Sequence, residues 1–211
     1  MFYDALKRDH GFKVDPLKSL IVPRPIGWIS TVDPEGKVNL APYSFYNAVS
    51  EFPPMVYFAI TGTYGDSPTK HSRMNAELTG EFVVNMVSAR LKEKMNITTA
   101  MFAYGIDEMR EAGLTPAPCR YVKAPRVAES PMALECKHWK TIELPVEPGR
   151  ESTPGSMVIG RVVGVHIDES ILKDGRVDVA AFQPVARLGY SEYTTTDNVW
   201  RMRRPDDPRY Q

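Results

Sequence analysis

Proline and glycine punctuate this chain from end to end, 18 and 14 of them in 211 residues. They are spread out and never pooled in a linker, so the chain is cut into short runs, the format of a protein built from many strands. Ile26 to Val32 alternates as a strand does, Asp33-Pro34-Glu35-Gly36-Lys37 supplies turn chemistry, and Val38 to Ala41 resumes the pattern. That is a hairpin. After an irregular stretch from Pro42 to Ser50, Pro53-Pro54 stops pairing and Met55 to Ile60 begins a third strand. Thr61 to Pro68 reads as loop, Thr69 to Leu78 as a helix stopped by Gly80, and Phe82 to Val87 as a short β-branched strand.

Further on, Ala89 to Phe102 and Asp107 to Ala112 read as helices and Leu114 to Pro118 as an exit loop. Strands return at Ala133 to Leu144, Met157 to Ile167 and Val185 to Leu188, with a polar loop at Glu147 to Ser156 and an Asp174-Gly175 turn. Strands outnumber helices, the two do not alternate one for one, and no long repeat is visible. A doubly wound sheet is therefore disfavoured, and a mainly β single domain is expected, a small barrel with peripheral helices. The first 20 residues form an N-terminal segment of mixed character, and about 194–211 reads as a tail or an arm laid on a partner.

Charge narrows the partners. With 26 basic and 26 acidic residues the formal charge is zero, which gives no whole-chain attraction to nucleic acid or anionic lipid. No apolar run reaches the ~18 residues of a membrane span, and the start lacks the order of a signal peptide, so a cytoplasmic protein is expected. Cys119 and Cys136 form no CxxC and are expected as thiols; His10, His71, His138 and His166 are scattered, and a bound metal is not expected.

The chain carries no G-x-G-x-x-G, no G-x-x-x-x-G-K-[ST], no H-E-x-x-H and no G-x-S-x-G. No acid/base set can be assembled from sequence, so an enzyme of this kind would take its reactivity from a cofactor. The densest run of unusual residues is Val22 to Thr31 together with Asn39 to Ser50. Polar side chains and strand-end amides there could meet the edge of a planar heterocycle, with Trp28, Tyr43 and Phe45 as flat walls. The alternative is that these aromatics are core and the Ser and Asn residues make turns. Lys70 and Ser72, at the start of the expected helix after Gly65, Asp66 and Ser67, could form a phosphate site. Capping by Ser67 with Pro68 as the first helical residue is the plain alternative.

Pro23-Arg24-Pro25-Ile26-Gly27-Trp28-Ile29-Ser30-Thr31, Asn39-Leu40-Ala41-Pro42-Tyr43-Ser44-Phe45, Ser50 to Pro54 and Gly80 to Asn85, in that order, resemble the flavin reductase-like, FMN-binding split-barrel family, nearest its flavoredoxin-type members. Gly160 to Ile167 and Arg187-Leu188-Gly189 with Tyr193 extend the likeness over about residues 18 to 195. The resemblance implies a six-stranded Greek-key split barrel, a homodimer, and FMN near the dimer interface. It implies that Ser30, Thr31, Tyr43, Ser44, Phe45 and Asn47 face the flavin and its ribityl chain, with Trp28 and Ile29 beside them. It further implies that Lys70, Ser72 and Arg24 hold the phosphate. Where family members often carry Lys-Asp-Thr, this chain has Lys70-His71-Ser72. The activity implied is electron transfer from NAD(P)H through FMN to a second flavin or a partner protein; the alternatives are an FMN electron carrier with no nicotinamide site and a cofactor-free barrel.

Overall fold

The computed structural model describes residues 1–63, 67–152, 154–202 and 205–206. Gly65, Asp66 and the last residues of the tail lie outside them. Seven strands form one antiparallel sheet: β1 (Gly27–Val32), β2 (Val38–Tyr43), β3 (Tyr46–Ser50), β4 (Met55–Thr61), β5 (Glu81–Met86), β6 (Met132–Glu143) and β7 (Gly155–Ile167). Their order is β2-β1-β5-β6-β7-β4-β3. Six of these strands follow the runs read from the sequence, and the other, β3, lies in the stretch read as irregular. Ser44 and Phe45 interrupt β2 before the chain re-enters the sheet at Tyr46, which pairs with Phe58 on β4.

Strand β1 is buried at every position because both of its faces are covered. One face presents Ile29 to the barrel interior, where it packs with Tyr46, Phe58, Phe82, Val84 and Val158. The other presents Trp28, which packs with Leu40, Met95, Met109 and Val185. That outer layer is held by α2 (Lys92–Ile97) and α3 (Glu108–Glu111), which cross the back of the β1–β2 hairpin. Helix α1 (His71–Thr79) caps the barrel interior with Ala76 and ends at Gly80, whose φ of 74° is the left-handed stop that a glycine takes without strain.

Helix α2 is shorter than the run from Ala89 to Phe102 suggests. A 3-10 turn at Ala89–Leu91 precedes it, and at its end the Thr98 hydroxyl bonds back to the Met95 carbonyl at 2.8 Å. The expected exit loop contains a short strand, Pro116–Ala117, paired with Arg126–Val127. A second, small sheet pairs Arg24–Pro25 with Val185–Arg187 and that with Tyr193–Thr195, so the start of the expected arm pairs within its own chain. The cysteines are both free thiols. No helix among the described residues is long and apolar enough to cross a membrane.

Candidate functional site

The site-forming residues expected from sequence divide between the two ends of the β1–β2 hairpin. At the turn end, Thr31 lies opposite Asn39, and α1 packs across them. The Asn39 amide donates to the Ser72 hydroxyl at 2.9 Å and to the Thr31 hydroxyl at 3.3 Å, while the Asn75 amide donates to Thr31 at 3.2 Å. The Tyr104 hydroxyl donates to Asn75 Oδ1 at 3.2 Å. Thr31, Asn39, Ser72 and Asn75 are all buried. Fold and hydrogen bonding thus join Thr31 to Ser72 across 41 positions of sequence, inside a closed polar knot.

Helix α1 starts at His71, with Lys70 as its N-cap and no side-chain cap. Ser67 is not the cap; its hydroxyl approaches the Met74 sulfur at 3.8 Å. An N-terminus without a side-chain cap presents N–H groups and the positive end of the helix dipole to an anion. Lys70 is half-buried there, and burial lowers its ammonium from the ordinary value.

Between the two ends, Trp28, Ile29 and Ser30 are fully buried. The Trp28 indole donates to Thr98 Oγ1 at 2.9 Å, and Ser30 donates to the Pro125 carbonyl at 2.6 Å while accepting from Asn85 at 3.1 Å. These side chains are part of the core and support the strand. Tyr43 is half-buried, its ring 5.0 Å from that of Phe58.

The open end is different. A cleft of about 340 Å³ is bounded by Arg24, Ser44, Phe45, Tyr46, Asn47 and Tyr57. Ser44 also borders a smaller depression of about 100 Å³ with Arg187, Met95 and Tyr193, and the last two border a third of about 620 Å³ with Lys92, Asn96 and Thr195. The three concavities adjoin as one groove, which starts at the break between β2 and β3 and ends at the Tyr193–Thr195 strand. Volumes of this order suit a cofactor or drug-sized ligand.

Cations gather over its first part. Lys18 Nζ lies 5.8 Å and the Arg24 guanidinium 5.9 Å from the centre of the Phe45 ring. Arg24 donates to the carbonyls of Lys18 at 2.5 Å, Ile21 at 2.7 Å and Leu188 at 2.9 Å, which ties the Leu17–Leu20 helical turn to the small sheet. Burial, and secondly the neighbouring Arg187, hold the Arg24 guanidinium below its ordinary value. Lys18 and Arg187 were not singled out as site residues from the sequence; for Arg187, its place in the Arg-Leu-Gly run was the available signal.

Two buried carboxyls lie elsewhere. Burial pushes Glu108 up to about 7, although its carboxylate accepts the Leu40 amide at 2.8 Å. For Glu135 burial acts in the same direction, but the amides of Arg120 and Tyr121 and the ring of His166 win, and its carboxyl lies below the ordinary value. The fold thus brings one of the scattered histidines to Glu135, with Cys119 nearby.

The architecture is a split β-barrel with peripheral helices. Residues 19–186 match the flavin reductase like domain, and the chain belongs to that family. It is 37% identical over 175 residues to an uncharacterized protein of Aquifex aeolicus, covering 82% of this chain and 85% of that one. Among solved structures it resembles nitrilotriacetate monooxygenase component B from Bacillus cereus, with a TM-score of 0.84, 28% identity, and coverage of 96% of this chain and 98% of that one. It also resembles the 2-nitrobenzoate 2-nitroreductase NbaA of Pseudomonas fluorescens, with a TM-score of 0.76, 32% identity, and coverage of 90% and 89%.

Proposed function

We propose that this protein is an FMN-dependent oxidoreductase that takes electrons from a reduced nicotinamide and delivers them to a second flavin or a partner protein. The observation that carries this reading is the arrangement around the β1–β2 hairpin: an aromatic wall, Phe45, stands beside Ser44 and Asn47 in the cleft at one end, while Lys70 and an N-terminus of α1 without a side-chain cap stand at the other. Thr31 is four residues along β1 from Gly27, which at ~3.3 Å per residue separates the two ends by about 13 Å. A flat ring joined to a phosphate by a flexible chain fits a wall and an anion seat spaced in this way. The donor set fits the same group, since hydroxyl and amide side chains suit a ring edge and an ammonium suits a phosphate.

Bound FMN supplies two-electron and one-electron transfer at its ring. The chain's own residues bind and orient it. Phe45 packs on the ring, Ser44 and Asn47 meet its polar edge, and Tyr43 borders the ribityl chain. Lys70, with the backbone at Ser72, holds the phosphate, and Arg24 fixes the wall of the cleft through the three carbonyls it gathers. Trp28, Ile29, Ser30 and Thr31 keep β1 rigid beneath the site. No side chain is assigned to proton transfer. The working unit is a homodimer, whose mass in solution would be twice the 23.7 kDa of the chain.

The test is optical. Protein purified or reconstituted with FMN should show the flavin bands and should bleach within seconds under anaerobic conditions on addition of NADH or NADPH. A colourless protein that takes up no FMN overturns the reading altogether. A yellow protein inert to both nucleotides overturns the nicotinamide step and points to an electron carrier reduced by another protein.

A further inference from the structure

Arg24 and Arg187 are direct cross-strand partners in the small sheet. Like charges in that position repel and destabilise a strand pair. In a chain whose 26 basic residues are balanced by 26 acidic ones, a carboxylate between them would be the ordinary remedy. Among the described residues none forms an ion pair with Arg24, Arg187 or Lys18, whereas Lys137 and Arg8 each have one and Arg73 has two. The Arg24 side chain, 7% exposed, donates hydrogen bonds only to backbone carbonyls, and its Nε is buried without a partner. Arg187 donates to the Tyr193 hydroxyl and the Tyr190 carbonyl, both uncharged, and lies 4.4 Å over the Tyr193 ring. Both arginines border the groove, on either side of Ser44.

We infer that Arg24, Arg187 and Lys18 form a seat for the diphosphate of a dinucleotide, which enters the groove beside the flavin ring. A diphosphate brings the negative charge that the protein does not supply, and paired guanidiniums are the donors best shaped for its oxygens. The inference rests on the function proposed above, in which the dinucleotide is the nicotinamide donor. The seat is distinct from the Lys70 end, some 13 Å away along β1 by the ~3.3 Å strand rise, so donor and cofactor phosphates do not compete.

The probe is ADP, which carries the diphosphate without any redox chemistry, with adenosine as its control, titrated calorimetrically into the full-length protein loaded with FMN. ADP should bind at least about tenfold more tightly than adenosine, and the difference should shrink as salt screens the charges. Arg187→Met and Lys18→Met should each weaken ADP by about tenfold or more, with the bound flavin retained. Arg187→Lys, which keeps the charge and serves if the methionine variant fails to fold, should lose less. Equal binding of ADP and adenosine overturns the seat. So does unchanged ADP affinity in Arg187→Met or Lys18→Met, and so does loss of flavin in place of ADP, which would assign these cations to the cofactor. If ADP binding fails while NADH or NADPH still bleaches the flavin, the seat falls and the proposed function stands. If ADP binds through Arg187 and neither nucleotide bleaches, the seat stands and the nicotinamide step falls.

Discussion

The two ends of the β1–β2 hairpin are built from similar residue types and reach opposite outcomes. At the turn end, Thr31, Asn39, Ser72 and Asn75 spend their hydrogen bonds on one another and are sealed beneath α1. At the open end, Ser44, Phe45 and Asn47 border a cleft, and the cations around them have no carboxylate partner among the described residues. A buried polar group is costly unless partnered, so a closed polar knot contributes stability and register. The charge of cations left without a carboxylate is not neutralised within the fold, even where, as at Arg24, the side chain braces the backbone, and its natural partner is a ligand. The comparison teaches that residue type marks a region as polar, while satisfaction of its groups separates scaffold from site.

The comparison can be sharpened most by pH. Glu108 holds the back of the hairpin through the Leu40 amide, and burial raises its carboxyl to about 7 from an unfolded value near 4.5. The folded state therefore keeps a proton that the unfolded state gives up. Its contribution is complete below 4.5 and is lost as pH rises through 7. Between pH 4 and pH 8 this group should lower unfolding free energy by about 3 kcal/mol. Urea titrations across that range check it. Glu108→Gln should flatten the slope and raise stability at pH 8, and an unchanged slope in that variant would remove Glu108 as the cause.

Asn39→Ala breaks the closed end directly. It strips the donor shared by Ser72 and Thr31, leaving the buried Ser72 hydroxyl without that bond while Thr31 keeps the Asn75 amide, at a cost of about 2 kcal/mol. FMN affinity in the folded fraction should change less than threefold, because the phosphate seat proposed at this end uses Lys70 and the α1 backbone and none of the side chains of the knot. A variant with parental stability and lost flavin would reverse the roles given to the two ends.

Much of this was legible in the sequence, and the reasons for the rest are physical. The β1–β2 hairpin, β4, β5, β6 and β7 follow from alternation and turn residues, and the Asp174-Gly175 turn has the positive φ of both residues that its type requires. Strand β3 was missed because Tyr46 to Ser50 exposes its middle residues and reads as polar loop; only pairing with β4 makes it a strand. The extent of α2 was missed because Thr98 ends it through a tertiary need, accepting the Trp28 indole. The site residues were legible as types and not as roles. Nothing local distinguishes Ser30, committed to Pro125 and Asn85, from Ser44 at the groove. Arg24 and Arg187 meet only through a strand register that joins residues 163 positions apart.

The smallest expected effect bears on the open end. Phe45 stands half-exposed between two cations and touches neither of the buried clusters on the two faces of β1. Truncating it removes a wall and leaves no sealed cavity, so the large penalty of a core deletion does not apply. Phe45→Ala should therefore move the unfolding free energy by less than about 1 kcal/mol. Stacking of a planar heterocycle on an aromatic ring contributes about 1–3 kcal/mol, so the same change should weaken FMN by about tenfold or more, measured by flavin fluorescence on titration. Set beside Asn39→Ala, this forms a double dissociation: stability falls at one end of the hairpin and affinity at the other. A Phe45 variant that unfolds readily but binds flavin normally when folded would make the groove part of the scaffold, and the division between the two ends would disappear.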